Sequence, residues 1–483
     1  MSINERAGHV FGGLCIAVVG IVVMLTWWQL IEAQTLRNRS ANQQRAYYEQ
    51  RIKRGVVSAA GGQVLARSQP SSTRNGDQIW RRTYPRKQLA AHVVGYYTLG
   101  KSKTGIEKSF NDYLTGSTRS LGTLFDKLDG SDLVVGDNVE LTIDAGAQRV
   151  AQRSLTAAGK RGAVVALDPA TGKVLVMASN PSYDLNDVDR KNFSSIASNP
   201  DAPLVNRATQ GRYPPGSTFK VITTAAALES GEASPDEKFR GGCKYETAGP
   251  PIYNFAHSCV GPHDLPFALT NSINISFAEL GDRVGRAGLY DQMEAFGFGT
   301  TKLLDDLPAE EQRASGIYGS DGKLLEEDQP IDAARVGIGQ ERLQVTPLQM
   351  ALVAGGIGNG GVVMKPFLVN TITKPDSTDV VYRAKPDKLS KAMSASTASE
   401  LTDMMTNVVK QGTGVAAARP DMEVAGKTGT ADTGSGNQTW FIAFAPADNP
   451  EVAIAVTVEG LPAGSTGGLI AAPIARDVMD ALL

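Results

Sequence analysis

The sequence has few of the residues that bind metals or activate a catalytic nucleophile through histidine: three cysteines and four histidines among 483 residues. The histidines are scattered, so their spacing does not predict a Ser-His-Asp triad, although spacing alone leaves one open. No Cys-x-x-Cys is present, and we predict no metal site and no cofactor. The formal net charge of −2 lacks the basic excess of nucleic-acid-binding proteins, so no nucleic-acid partner is expected.

Two of the cysteines, Cys243 and Cys259, enclose a short loop rich in Gly, Pro and Asn. Three interpretations are open: a zinc site that includes His257 and His263, a free buried pair, or a disulfide. The ligand spacing is poor for zinc. If this part of the chain lies outside the cytoplasm, a disulfide is favoured, and closing so short a loop stabilises the fold by roughly 3 kcal/mol.

One long apolar run, residues 10–31, ends in Trp27 and Trp28. As a helix it spans roughly 33 Å at about 1.5 Å per residue, enough for a bilayer. We predict an uncleaved transmembrane anchor, with residues 1–9 as a cytoplasmic tail and the rest of the chain outside. Arg6 is the only Lys or Arg before the run and several follow it, which by the positive-inside rule favours the reverse orientation. The chemistry of the site therefore has to decide the orientation.

Local patterns after the anchor predict an α+β protein. A polar helix is expected at residues 32–48, and two short strands around a Gly turn at 54–66. Two apolar hairpins, at 162–178 and 440–458, predict an antiparallel sheet. We expect residues 32–140 to form a small, extended, non-catalytic linker or interaction domain, and residues 141–483 to form the catalytic domain. Helical patterns that would flank the sheet begin at Asp144, Ser217, Leu265, Thr346, Thr397 and Ile470, and the one at Leu265 extends to Leu280.

The first candidate motif is Ser217-Thr218-Phe219-Lys220, which follows Pro214, Pro215 and Gly216 and opens an apolar run. Ser217 is expected at a helix N-terminus, with Lys220 one turn later on the same face. A hydroxyl beside an amine, where the helix dipole favours negative charge, suits acyl transfer. The alternative is a helix cap with a solvated lysine. A second Ser-x-x-Lys at Ser320 has turn chemistry and is discounted.

Two further short motifs lie downstream of Ser217. Ser272-Ile273-Asn274 stands within a helical pattern, and Lys427-Thr428-Gly429-Thr430 follows a predicted strand. Each motif occurs elsewhere in the chain by chance, and their polar residues have the alternative roles of helix caps and a surface charge. The ordered set of a helix-starting Ser-x-x-Lys, a Ser-x-Asn and a strand-borne Lys-Thr-Gly is much more specific.

On these motifs the chain resembles the class B penicillin-binding proteins, the serine D,D-transpeptidases of bacterial cell walls, and most of all the short actinobacterial members. The resemblance covers nearly the whole chain. It implies a transpeptidase domain of the penicillin-binding and serine β-lactamase-like fold. Further matching segments are Arg54-Gly55, Gly105-Ile106-Glu107, Leu114-x-Gly116, Leu141-Thr142-Ile143-Asp144, Gly339-Gln340 and Val345-Thr346-Pro347-Leu348-Gln349-Met350-Ala351.

The resemblance implies roles for the catalytic residues. Ser217 attacks the penultimate D-Ala carbonyl of a stem peptide that ends in D-Ala-D-Ala, and Lys220 takes the serine proton as a neutral amine. Burial and the charge of Lys427 are both expected to lower the pKa of Lys220. Ser272 relays the proton, and Asn274 orients Lys220 and the substrate amide.

The strand motif is assigned to substrate binding by the same resemblance. Lys427 supplies positive charge to the substrate carboxylate, and Thr428 and Thr430 supply hydroxyl groups. Gly429 has no side chain, so substrate is expected to lie close against the strand. The backbone N–H groups of Ser217 and Thr430 are the expected oxyanion hole.

The resemblance predicts a cross-linking transpeptidase that β-lactams inhibit covalently. The alternatives are a D,D-carboxypeptidase or β-lactamase, and a β-lactam sensor or wall-assembly scaffold that acylates without turnover. The segment before the catalytic domain is too short for a glycan polymerase. We therefore expect a separate membrane glycan polymerase, of the type that serves shape, elongation or division, to bind through residues 10–140.

Overall fold

The computed structural model describes residues 3–30, 49–73, 76–99, 102–117, 134–159, 161–188, 192–434 and 436–483. The predicted polar helix at residues 32–48 lies outside these residues. The first helix, α1, runs from Ile3 to Leu30 without interruption. Its segment Gly8–Trp27 has a mean hydropathy of 2.4 and is 0% buried inside the protein, so it is long and apolar enough to cross a membrane.

The remaining α-helices of the described residues follow in chain order. They are α2 (Ala91–Val94), α3 (Gly105–Ser109), α4 (Asn111–Leu114), α5 (Ala145–Ala157), α6 (Phe193–Ala197), α7 (Lys220–Ser230), α8 (Leu265–Thr270), α9 (Asn274–Ala295), α10 (Ala333–Gly337), α11 (Pro347–Gly358), α12 (Ala395–Gln411) and α13 (Gly467–Leu482). Short 3₁₀ turns lie at Ala60–Gly62, Leu185–Asp187, Gly216–Phe219, Phe255–His257, Ala309–Glu311 and Val415–Ala417.

The strands of the described residues form two larger sheets and several short ladders. They are β1 (Val57–Ser58), β2 (Val64–Ser72), β3 (Gln78–Thr83), β4 (Asn138–Leu141), β5 (Gly162–Leu167), β6 (Val174–Asn180), β7 (Lys238–Phe239), β8 (Lys244–Tyr245), β9 (Ile252–Tyr253), β10 (His263–Asp264), β11 (Gly316–Ile317), β12 (Leu343–Gln344), β13 (Val362–Met364), β14 (Val369–Thr373), β15 (Val380–Arg383), β16 (Lys388–Lys391), β17 (Ala425–Asp432), β18 (Asn437–Ala445) and β19 (Val452–Leu461).

The central sheet is antiparallel and has the strand order β17-β18-β19-β5-β6. Alternate residues enter two different cores: Val165 and Ile442 pack on one face, and Val164 and Phe441 on the other. Helices α5 and α13 cover the second face, and α11 lies against the first. Because both faces are buried, the hairpin strands are largely apolar. The predicted α+β sandwich with an antiparallel sheet is confirmed.

The second sheet has the order β15-β14-β4-β1-β2-β3. Strand β4 pairs in parallel with β1 and antiparallel with β14, so a segment from late in the chain completes a sheet that begins near the anchor. The domain boundary that we predicted after residue 140 falls inside β4. A continuous backbone ladder therefore joins the N-terminal part to the catalytic part.

A buried carboxylate fixes the N-terminal part internally. Glu107 bonds Arg54 at 2.7 Å and Arg82 at 2.5 Å, and all three side chains are almost inaccessible. Burial raises the pKa of Glu107, but the guanidinium groups of Arg82 and Arg54 outweigh it and hold that pKa below its usual value. Two segments that carry the family resemblance, Arg54-Gly55 and Gly105-Ile106-Glu107, thus meet through an ion pair.

Two local predictions need correction. The pattern at residues 265–280 is not one helix but the whole of α8 and the start of α9, separated by Asn271–Ile273, where Ser272 has a φ of 57°. The helix that we predicted from Thr397 begins earlier, at Ala395, and its cap is Ser394, whose hydroxyl accepts the Thr397 N–H at 3.2 Å. The helix starts predicted at Asp144 and Thr346 are confirmed, and the side chains of these two residues cap α5 and α11.

Candidate active site

The turn that carries Ser217 packs against β17, the edge strand of the central sheet. Gly216 has a φ of 52°, and its N–H donates to the Gly339 carbonyl at 3.0 Å. A Cβ at Gly216 would lie 2.7 Å from the carbonyl oxygen of Thr430, so only glycine allows this approach. Ser217 is partly buried and is the second residue of the 3₁₀ turn Gly216–Phe219, which runs into α7. The sequence thus places Ser217 beside Thr430 on the edge strand β17.

The amine of Lys220 is fully buried and bonds three oxygen atoms. Its Nζ lies 2.8 Å from the carbonyl of Ser272, 2.8 Å from Asn274 Oδ1 and 3.2 Å from the hydroxyl of Ser272. The carbonyl and amide oxygens only accept hydrogen bonds. When the amine is neutral, its two hydrogens satisfy the carbonyl of Ser272 and Oδ1 of Asn274. Its lone pair is then free to accept a proton from a hydroxyl group.

The hydroxyl of Ser272 connects two lysines. Lys427 Nζ lies 3.0 Å from this oxygen and 3.1 Å from the carbonyl of Thr428. The positive φ of Ser272 ends α8 and turns both its carbonyl and its hydroxyl towards the amines. A non-glycine residue in this conformation costs about 1–3 kcal/mol and persists only where its surroundings hold it.

The orientation of the Asn274 amide follows from its second contact. Its Nδ2 donates to the carbonyl of Tyr253 at 2.8 Å, so Oδ1 is the atom left for Lys220. Tyr253 belongs to the loop between Cys243 and Cys259. Of the three interpretations of these cysteines, the structure contains the disulfide. Among the described residues, no group of three or more His, Cys, Asp or Glu side chains could hold a metal ion.

Burial perturbs both lysines. Burial, and after it the charge of Lys427, holds the pKa of Lys220 well below its usual range. Burial also lowers the pKa of Lys427 to about 7. A neutral amine at Lys220 near neutral pH is what a general base for a serine hydroxyl requires. The surface-charge interpretation of Lys427 is wrong, because its side chain is fully buried.

Gly429 of the strand motif has a packing role that the sequence did not predict. A Cβ at Gly429 would lie 2.7 Å from the Pro215 carbonyl oxygen and 2.9 Å from Thr218 Cγ2. The missing side chain therefore makes room for the protein's own Ser217 turn. The Thr430 hydroxyl accepts the N–H of Gly467 at 3.2 Å.

Sequence reasoning missed Thr413. This exposed residue lies before β17, and its hydroxyl is 2.6 Å from the hydroxyl of Thr428, which is itself 6% exposed. The pair places two hydroxyl groups at the rim of the site, where they can bind a carboxylate. The sequence signal was weak, since Thr413 stands between glycines and belongs to none of the three motifs.

Comparisons with known proteins agree on one family. Residues 162–480 match the penicillin binding protein transpeptidase domain, and residues 54–137 match the penicillin binding protein A dimerisation domain. The chain is 36% identical to the peptidoglycan D,D-transpeptidase PbpA of Mycolicibacterium smegmatis, with 97% of this chain and 98% of that protein covered. The corresponding protein of Mycobacterium tuberculosis is 35% identical over the same shares.

Solved structures give the same result. The ceftriaxone acyl-enzyme complex of penicillin-binding protein A from Mycobacterium tuberculosis has a TM-score of 0.81 and 34% identity, covering 90% of this chain and 99% of that one. The D,D-transpeptidase domain of a peptidoglycan glycosyltransferase from Eggerthella lenta has a TM-score of 0.77 and 34% identity, covering 90% and 98%. The chain belongs to the class B penicillin-binding proteins, a family of serine-type D,D-transpeptidases.

Proposed function

We propose that this chain cross-links peptidoglycan stem peptides through an acyl-enzyme on Ser217. The observation that supports this most is the buried array in which the Ser272 hydroxyl lies between the amines of Lys220 and Lys427, next to the Ser217 turn. The relatives named peptidoglycan D,D-transpeptidases and the acyl-enzyme structures of a similar protein support the same reaction.

In the first half-reaction, Lys220 accepts the proton of Ser217 as the oxygen attacks the penultimate D-Ala carbonyl. The N–H groups of Ser217 and Thr430 stabilise the oxyanion, which their adjacent backbones make possible. The carbon–nitrogen bond to the terminal D-Ala then breaks. The departing amine takes the proton that Lys220 accepted, which Ser272, placed between the two lysines, relays to it. Thr428 and Thr413 bind the terminal carboxylate, with Lys427 adding positive charge.

In the second half-reaction, an amine of another stem peptide attacks the acyl-enzyme. Lys220, neutral again, takes the proton of this amine, and the Ser217 oxygen leaves with a proton returned through the same relay. A β-lactam enters at the first step, because its ring amide replaces the peptide amide. Its leaving nitrogen stays tethered to the acyl group, so it blocks the acceptor.

The substrate decides the orientation of the anchor. Helix α1 fits a single-pass membrane anchor. Because stem peptides lie outside the membrane, we place the N-terminus in the cytoplasm and the catalytic domain outside, against the weak charge bias around the helix. A disulfide between Cys243 and Cys259 supports this placement, since disulfides persist in oxidising compartments.

The experiment uses the full chain in detergent, a stem-peptide thioester ending in D-Ala, and a stem peptide with a free amine as acceptor. We expect a cross-linked product by mass spectrometry that is absent with Ser217→Ala. Hydrolysis alone would identify a carboxypeptidase, and a stable acyl-enzyme without product would identify a sensor. Either result would contradict the proposed cross-linking.

For the partner, we propose that a membrane glycan polymerase binds through residues 10–140, which include the strands β1–β3 and most of α1 and β4. Such a polymerase should co-purify with the full chain and be lost when this segment is replaced by an unrelated anchored segment. Because residues 54–137 match a dimerisation domain, self-association without a polymerase is the main alternative outcome. Equal recovery of the polymerase with both chains would refute the proposal.

A further inference from the structure

The loop closed by Cys243 and Cys259 reaches from the surface to the catalytic array. Its base is held by the disulfide and by two backbone hydrogen bonds between Gly242 and Val260, at 2.8 Å and 3.0 Å. Inside the loop, β8 pairs with β9. Asn254 follows β9 and is buried, at 4% exposure, although its neighbour Phe255 is 72% exposed.

The side-chain amide of Asn254 joins the base of this loop to the start of α9. Its Nδ2 donates to the Ser258 carbonyl at 3.1 Å and to the Gly242 carbonyl at 3.4 Å. These two carbonyls belong to the residues that immediately precede the two cysteines, so the disulfide fixes the acceptors of Asn254. Its Oδ1 accepts the N–H of Ile275 at 3.2 Å, one of the otherwise unpaired N–H groups at the first turn of α9.

The same loop holds the neighbouring catalytic residue. The carbonyl of Tyr253 accepts the amide hydrogen of Asn274 at 2.8 Å, and Asn274 Oδ1 receives the amine of Lys220 at 2.8 Å. If the loop moved, the Asn274 amide would be free to rotate and present Nδ2 to Lys220. That donor would occupy the lone pair that has to accept the proton of Ser217.

We propose that Asn254 is a positioning residue for acylation, which the disulfide-closed loop holds in place so that Asn274 presents Oδ1, and not Nδ2, to Lys220. The backbone of the loop is consistent with a conformation imposed by closure. Ala256 and His257 have φ values of 52° and 54°, which residues with a Cβ adopt at a cost of about 1–3 kcal/mol only where their surroundings hold them. The inference deepens the proposed function and rests on it.

The test measures the second-order rate of acylation by a fluorescent penicillin, using the full chain in detergent, across pH 5–10. Asn254→Ala should lower the rate roughly tenfold or more, the loss expected when a catalytic hydrogen bond is misplaced. The matched control is Thr247→Ala, which removes an exposed hydroxyl of the same loop that bonds only Pro250 and Gly249. The control should acylate at the wild-type rate.

The pH profile separates positioning from a general loss of structure. Lys220 is surrounded by Lys427 as the charged neighbour and by the Ser272 hydroxyl, the Asn274 amide and the ring of Phe277, 5.2 Å from Nζ. Loss of the Oδ1 acceptor disfavours the ammonium form, so the midpoint of the rising limb should shift to lower pH. A variant that is only less stable would leave the midpoint where it is.

A double-mutant comparison gives a second readout. In an Asn274→Ala background, Asn254→Ala should have little further effect on the acylation rate, because the group it positions is gone. Reduction of folded wild-type protein with dithiothreitol should also lower the acylation rate. Replacement of both Cys243 and Cys259 by serine should have the same effect. An unchanged midpoint with additive losses would overturn the inference. A wild-type chain that penicillin does not acylate would instead overturn the proposed function.

Discussion

The side-chain amine of Lys427 lies 3.0 Å from the hydroxyl of Ser272, although 155 residues separate them in the chain. Both groups are partners in a buried array that also includes Lys220. Two amines connected through one hydroxyl allow a proton to move between them with little displacement of heavy atoms. The account of catalysis depends on this array and on its position beside Ser217.

Lys220→Ala should nearly abolish acylation by penicillin. The neutral amine is the proposed base for Ser217, and general-base catalysis contributes about 10²–10⁴-fold. The rate is measured with a fluorescent penicillin, and folding is checked by near-ultraviolet circular dichroism and thermal unfolding. A folded variant that acylates at the wild-type rate would remove Lys220 from the mechanism.

Ser272→Ala should slow acylation by about 10²-fold, because it removes the hydroxyl that bonds both lysines at 3.2 Å and 3.0 Å. The control is Ser320→Ala, in the discounted second Ser-x-x-Lys, which should leave the rate unchanged. Equal rates for the two variants would show that protons do not pass through Ser272.

Lys427→Met should change how folding stability depends on pH. Burial lowers the pKa of Lys427 to about 7 in the folded chain, whereas an unfolded lysine titrates near 10.4. The cost of burying the charge is greatest below pH 7 and disappears as pH rises towards 10.4. Lys427→Met should therefore gain stability relative to wild type at pH 6 and lose this advantage by pH 10, as measured by denaturant unfolding. A constant difference across this range would contradict the assignment.

Gly429→Ala should damage the site because the added side chain would clash with the protein itself and not with the substrate. The new Cβ would lie 2.7 Å from the Pro215 carbonyl oxygen, so the Ser217 turn and β17 would have to separate. We expect a loss of about 1–3 kcal/mol in stability together with slower acylation. Gly261→Ala, where no atom lies within 4 Å of the added Cβ, is the control. Slower acylation with no change in stability would favour a direct role of Gly429 in substrate binding.

Much of the fold could be predicted because the local signals agree with the tertiary structure. The hairpins at 162–178 and 440–458 are apolar on both faces, and Asp144 and Thr346 cap helices as their sequence context indicates. The pairing of β4 with β14 could not be predicted, since a strand order that joins distant segments leaves no local pattern. For this reason a boundary chosen from local patterns fell inside β4.

The candidate site, like the fold, could be predicted only in part. The order of the three motifs predicted which side chains would meet, but not that the helical pattern around Ser272 would break. That break depends on contacts with Lys220 and Lys427, which compensate for the positive φ of Ser272. The part played by Asn254 left no motif, because it acts through hydrogen bonds to backbone groups.

The most direct test of the central claim is the mass-spectrometric location of the penicillin adduct. After incubation with penicillin and digestion with trypsin, one penicilloyl group should be found on the peptide of residues 213–220, and fragmentation should assign it to Ser217. Ser217→Ala should carry none. An adduct on any other residue, or a wild-type chain that remains unmodified while folded, would contradict the account.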